Sequence, residues 1–193
     1  PEQTIAGTRI VWSEGARTSA LIRANTLRRY PKRDEVLLEG DVRIALFDEK
    51  GRKSAIVTGQ RGKINDRTRT AFVDSGLVVR FLGSNEYAAA TVRSDWAKAE
   101  DLTKIVTAMG NVSVVSDSGI TLRTEYLTWS GRLGKIRAPR AVTITTATEI
   151  ESGFNLWANA DLTEYTMERV TGRTRRPAGD IKRIREQSRG TAR

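Results

Sequence analysis

The segment "AMGNVSVVSDSGITLRTEYLTW", residues 108–129, carries the plan of the chain in miniature. Val112 and Val114 alternate with Ser113; beyond the turn "SDSG", Ile120 and Leu122 alternate with Thr121 and Arg123. A period of two puts apolar side chains on one face of a strand and polar ones on the other, the habit of antiparallel strands with one dry and one wet face. With a glycine-bearing turn between the two runs, the segment reads as a β-hairpin.

Outward from this hairpin the same unit recurs. "EGDVRIALF" (39–47), "SGLVVRFLG" (75–83), "MGNVSVVSD" (109–117) and "PRAVTITTA" (139–147) align on Val42, Val78, Val112 and Val142, at intervals of 36, 34 and 30 residues. Each continues through a turn ("DEKGR", "GSNE", "SDSG", "TATE") into a second strand, and "SALIRANTLRRY" (19–30) adds an N-terminal copy of that second half. Even spacing of this kind marks a repeat architecture. The pattern is all-β, and a closed sandwich or an open roll of stacked hairpins both satisfy it. "SDWAKAEDLTK" (94–104) reads as a connection between strands.

Composition removes several function classes. The 193 residues contain no Cys and no His, so thiol chemistry, the commonest general base and the commonest metal ligand are missing. No apolar run approaches the roughly 18 residues of a membrane span, and no phosphate-binding G-x-x-x-x-G-K-[ST] loop occurs. The acidic pairs Asp34/Glu35, Asp48/Glu49 and Glu100/Asp101 fall beside Lys or Arg in expected turns, where solvated charge explains them. Asp161 and Glu164 have no accompanying catalytic partner. The expectation is a non-enzyme with no cofactor and no metal.

The formal net charge is +10, and half of the excess lies in residues 175–193, "RRPAGDIKRIREQSRGTAR", with seven Lys/Arg against two Asp/Glu. That stretch reads as a flexible basic tail. Polyanion binding by the basic surface is the least favoured function, because a single-strand nucleic-acid binder needs an aromatic stacking platform; no nucleic-acid partner is expected.

"GNVSVVSDSGITLRTEYLTWSGRLGKIRAPRAVTIT" followed by "ESGFNLWANADLTEYTMERVTG" resembles the periplasmic domain of the LptC family, lipopolysaccharide-export proteins that share their repeat with LptA and the N-terminal domain of LptD. The ordered features are a Gly-x-Val strand start, "G-x-x-L-x-T-x-x-L-x-W", "V-x-I-T" and "G-F-x-L-W-A"; the similarity runs from about Thr18 to Gly172. It implies a twisted open β-jellyroll enclosing lipid A acyl chains, a lead-in over residues 1–17, the jellyroll over 18–174 and the tail over 175–193. It further implies that the chain accepts lipopolysaccharide from an inner-membrane ABC transporter and passes it to an LptA-like bridge protein by edge-strand addition. The implied location is the periplasm, with an inner-membrane anchor from an N-terminal helix outside this chain.

The inward positions expected to touch acyl chains are Val42, Ile44, Leu46, Val57, Val78, Val112, Val114, Leu122, Val142, Ile144 and Leu156. The partner-facing edge is expected at Phe154, Leu156, Ala158, Val170 and Gly172, and the transporter-facing edge near residues 10–27. Trp96, Trp129 and Trp157 are read as caps on the sheet interior. The alternatives are an LptA-like bridge and a β-repeat assembly that binds no lipid and homo-oligomerises through its sheet edges.

Overall fold

A computed structural model describes residues 3–30 and 34–174, and these form fourteen antiparallel strands in one continuous sheet. The strands are β1 (Gln3–Glu14), β2 (Arg17–Arg29), β3 (Glu35–Phe47), β4 (Lys53–Asn65), β5 (Thr70–Asp74), β6 (Val78–Leu82) and β7 (Ala88–Arg93). They continue as β8 (Trp96–Glu100), β9 (Ile105–Ser116), β10 (Thr121–Ser130), β11 (Lys135–Ala138), β12 (Val142–Thr145), β13 (Glu149–Asn159) and β14 (Tyr165–Thr174). The expected all-β class and the twisted β-jellyroll of antiparallel hairpins are what the chain forms.

The long strands each cross two layers, while β5/β6, β7/β8 and β11/β12 divide the crossing between two short strands. Thus β4 pairs β5 through residues 61–65 and β6 through residues 55–58, and β9 pairs β8 through 105–109 and β7 through 113–116. Layer A contains β5, β8, β11 and the halves of the long strands beside them. Layer B contains β6, β7, β12 and the other halves. Phe81 of layer B stacks on Trp129 of layer A, ring centroids 4.8 Å apart and planes 14° from parallel, so the layers face one another across a single core.

The fold between layers has a recurring local cause. Asp41, Asn111 and Asn155 adopt left-handed backbone conformations (φ 45°, 48° and 49°) in the interiors of β3, β9 and β13. Asp and Asn tolerate that region better than other side chains. Each is tied to the neighbouring segment by an amide–carboxylate hydrogen bond: Asn25 Nδ2 to Asp41 (3.2 Å), Asn111 Nδ2 to Asp95 (3.0 Å) and Asn155 Nδ2 to Glu168 (3.0 Å). Register shifts accompany all three, as expected of bulges that bend a strand. Gly110, at φ 77°, suits glycine: any other side chain would be strained there, and a Cβ would lie 2.3 Å from the Asp95 carboxylate unless that side chain moved.

Three sequence expectations change. Residues 3–14 are no lead-in but strand β1, paired along β2 from Gln3 opposite Arg29 to Glu14 opposite Arg17. The segment 94–104 is more than a connection, since Trp96–Glu100 is strand β8, bridging β5 and β9. Val78 faces outward: in β6 the buried partners are Val79 and Phe81. Left-handed Ser75 and Gly76 put Leu77 in the core ahead of the strand and offset this repeat by one residue, which flips every side chain. The basic tail, 175–193, lies outside the described residues.

Candidate functional site

Strand register gathers the repeats into rows. On the inner face of layer B, Ile22, Ile44, Val57, Val79, Val92 and Val114 stand opposite one another strand by strand, and Leu122 and Ile144 continue the row. All are at 1% exposure or less. The facing row of layer A mixes sizes: Ile64, Ala71, Ala99, Val106, Trp129, Ile136 and Ala158. Small side chains interleaved with large ones let the layers close, and Phe81 packs face to face on Trp129 between them.

Of the eleven expected inward residues, ten (Val42, Ile44, Leu46, Val57, Val112, Val114, Leu122, Val142, Ile144 and Leu156) line this interior at no more than 3% exposure; Val78 is the exception noted above. The interior is packed side chain against side chain. Phe81, Val79 and Val92 were missed in the sequence because the one-residue offset of the second repeat disguised them.

Each end of the interior is bridged from layer to layer by an aromatic donor and an acid. At the β1 end, Trp12 Nε1 donates to Asp66 (3.0 Å). At the β14 end, the Tyr165 hydroxyl donates to Glu151 (2.6 Å). Burial, with the Glu151 carboxylate as the next cause, pushes the Tyr165 hydroxyl up to about 12. Both aromatic donors stand on edge strands: among the described residues β1 pairs only with β2, and β14 only with β13.

Edge residues therefore differ from expectation. Phe154 and Val170 are exposed, and Gly172 lies on edge strand β14. Leu156 and Ala158 are buried in β13, opposite Ala138 and Ile136, and β14 covers the other side of that strand. The bulge at Asn155 changes the phase of alternation, turning these two side chains inward. At the other end β1 forms the edge and β2 is interior. Of the expected tryptophan caps, Trp129 is buried, Trp96 is half-buried against Phe72, and Trp157 lies outside beneath Arg137.

Opposite the corners, the strand tips of the two layers meet in a seam. Its centre is a buried ionic cluster that the sequence reading assigned to solvated turns. Asp101 accepts from Ser19 Oγ (2.5 Å) and Lys104 Nζ (2.6 Å), while the Arg69 guanidinium contacts its second oxygen. Lys104 also donates to the Ser19 carbonyl (3.2 Å). Ser19, Asp101 and Lys104 are all at 2% exposure or less. A Ser beside a Lys invites a nucleophilic reading, but Ser19 Oγ donates to the Asp101 carboxylate and no substrate reaches a group so buried. The cluster clasps Ser19 of layer B to the β8–β9 turn of layer A. Farther along, the seam is lighter: Ser118 Oγ donates to the Asp161 carbonyl (3.0 Å), and Arg132 lies 3.6 Å from Glu49. The other acids have local roles. Asp48 accepts the backbone N–H groups of Lys50 and Arg52, both at 2.9 Å, and Asp34 pairs with Arg67.

The outer faces differ. Layer A pairs three of its outer cations, Lys63 with Glu35, Lys98 with Glu100 and Arg28 with Glu39, each at 3.1 Å, and lays Arg137 over the Trp157 ring. Layer B, one residue out of phase with its isoleucine–valine row, carries Arg9 opposite Arg23 opposite Arg43, with Arg93 and Arg123 farther along the same line. No carboxylate stands in this row or in the outward row next to it, Val11–Leu21–Ala45–Ile56–Arg80.

Among known proteins, no family model matches the chain and no curated protein matches it. The chain is similar to the solved structure of LptH, the LptA-homologous periplasmic component of the conserved lipopolysaccharide transport device from Pseudomonas aeruginosa, with a TM-score of 0.46 and 9% identity over 90% of this chain and 94% of that one. The jellyroll assignment rests on the strand pairing itself. No helix among the described residues is long and apolar enough to cross a membrane.

Proposed function

We propose that the chain is a lipid-carrying module of the lipopolysaccharide-export type. In this reading it works in the periplasm beside the inner membrane, takes lipopolysaccharide from an ABC transporter and hands it to an LptA-like bridge through its β14 edge. The observation that carries the reading is the unbroken apolar row running across the strands between two edges that, among the described residues, pair on one side only. Edge strands invite strand addition, which would join one interior to the next. Burying an acyl chain gains roughly 0.8 kcal/mol per CH₂, so the module needs no chemistry of its own.

The interior is filled, and an acyl chain enters by displacing side-chain contacts as the seam parts. The lighter seam near Ser118 and Asp161 is the place for that opening, and the Asp101 clasp is the hinge side. The segment "LRTEYLTW" with "VTIT" favours an LptC-type role over the LptA-type bridge.

The test is capture of intact lipopolysaccharide by the full chain at low and high salt, with deacylated lipopolysaccharide as competitor. Capture that survives salt and resists the deacylated competitor supports acyl-chain burial. Capture that salt abolishes, or that the deacylated form displaces, leaves only an external saccharide contact and rejects the reading.

A further inference from the structure

The arginine row on the outer face of layer B has no structural purpose that the fold explains. Directly opposed like charges destabilise a strand pair, yet Arg9, Arg23 and Arg43 stand opposite one another on three successive strands. None of the three makes an ion pair among the described residues, whereas Arg28, Lys63 and Lys98 on the outside of layer A are each paired with a glutamate. At the usual strand spacing the line from Arg9 to Arg123 extends roughly 34 Å. Beside it Arg23, Arg43 and Lys53 surround a concavity of about 210 Å³ floored by Leu21 and Ala45.

We propose that this face is a docking surface for phosphate-bearing lipid headgroups, with the Arg23–Arg43–Lys53 concavity taking one headgroup phosphate. Guanidinium groups match phosphate oxygens in geometry as well as charge. The neighbouring row supplies what a headgroup–acyl boundary needs and a polynucleotide does not: Val11 is 44% exposed and Leu21 half-buried, and the row holds no aromatic platform. A membrane carrying anionic lipid concentrates such a face against itself. The proposal stands apart from the interior reading, since it concerns the outside of the layer and any anionic phospholipid satisfies it.

The experiment is co-sedimentation of the full chain with vesicles of phosphatidylcholine alone or mixed with phosphatidylglycerol, containing no lipopolysaccharide. The variant Arg23→Gln/Arg43→Gln is set against Lys63→Gln/Lys98→Gln, which removes the same charge from the other face and leaves residues 175–193 unchanged. The expected result is binding only to anionic vesicles, weakened about thirty-fold by the arginine pair and less than about two-fold by the lysine pair. Equal losses in the two variants, equal binding to neutral vesicles, or no effect of the arginine pair overturns the proposal. Inorganic phosphate, titrated against chloride at matched ionic strength, separates the sources. Displacement of the wild type from vesicles supports a phosphate contact, and phosphate binding without vesicle binding assigns the concavity to a free phosphate instead.

Discussion

Layers A and B are built from the same strands, yet they solve opposite problems. Layer B turns a row of isoleucine, valine and leucine inward and, among the described residues, leaves Arg9, Arg23 and Arg43 without ion pairs outside; layer A mixes alanines with Trp129 and Ile136 inside and pairs Arg28, Lys63 and Lys98 with glutamates outside. A core at crystal-like density fixes the two inner faces jointly, with small side chains interleaved among large ones and Phe81 stacked on Trp129 across the layers. Outside there is no such reciprocity. The charge asymmetry is a property that packing does not require, which separates what holds the fold from what the fold presents.

Truncating the cross-layer stack is the harshest way to break this division of labour. Phe81→Ala should cost about 3–5 kcal/mol, read as a lower midpoint in urea denaturation. Removing one partner of the seam clasp, Asp101→Ala, strands Lys104 and Arg69 and should cost a comparable or slightly smaller amount, about 3–4 kcal/mol. An increase in bulk at one of the small positions of layer A tests the closeness of that packing directly. Ala99→Leu should destabilise by about 1–3 kcal/mol through overpacking; if it proves neutral, the layers are not packed as described.

Smaller effects sharpen the comparison. Tyr165→Phe should cost about 1 kcal/mol, and it should also alter the pH profile. The Tyr165 hydroxyl is held up to about 12, against an ordinary value of 10, so the folded state keeps a proton that the unfolded state releases. Its contribution is full below pH 10 and falls as pH rises to about 12, and the difference between wild type and variant should shrink over that window. The smallest test is one of sign. Lys63→Gln should lose up to about 1 kcal/mol with the Glu35 pair, whereas Arg43→Gln should gain a few tenths of a kcal/mol as a like-charge contact disappears. Equal signs in thermal or urea unfolding would erase the contrast between the outer faces.

Much of the architecture was legible from alternation. Val112–Val114 and Ile120–Leu122 announce a hairpin, and ten of the eleven inward residues were readable because a strand with one dry face states its own orientation. What escaped has a common cause. Val78 was misread because a left-handed pair, Ser75 and Gly76, shifts the phase by one residue; Ala158, and Leu156 in its second assignment, were placed on the partner edge because the Asn155 bulge does the same. Strands β5 and β11 are too short and too mixed to stand out, and Asp101 carries no signal that separates a buried acid from a turn.

The sequence by itself determined the class of fold, the hairpin repeat and the dry face of most strands, since those depend on neighbours two residues apart. Tertiary structure alone decided which strands are edges, that Asp101, Lys104 and Ser19 meet across the seam, and that Arg9, Arg23 and Arg43 fall into line. Those relations join residues tens of positions apart, and they exist only once register and bulges set which side chains stand opposite one another.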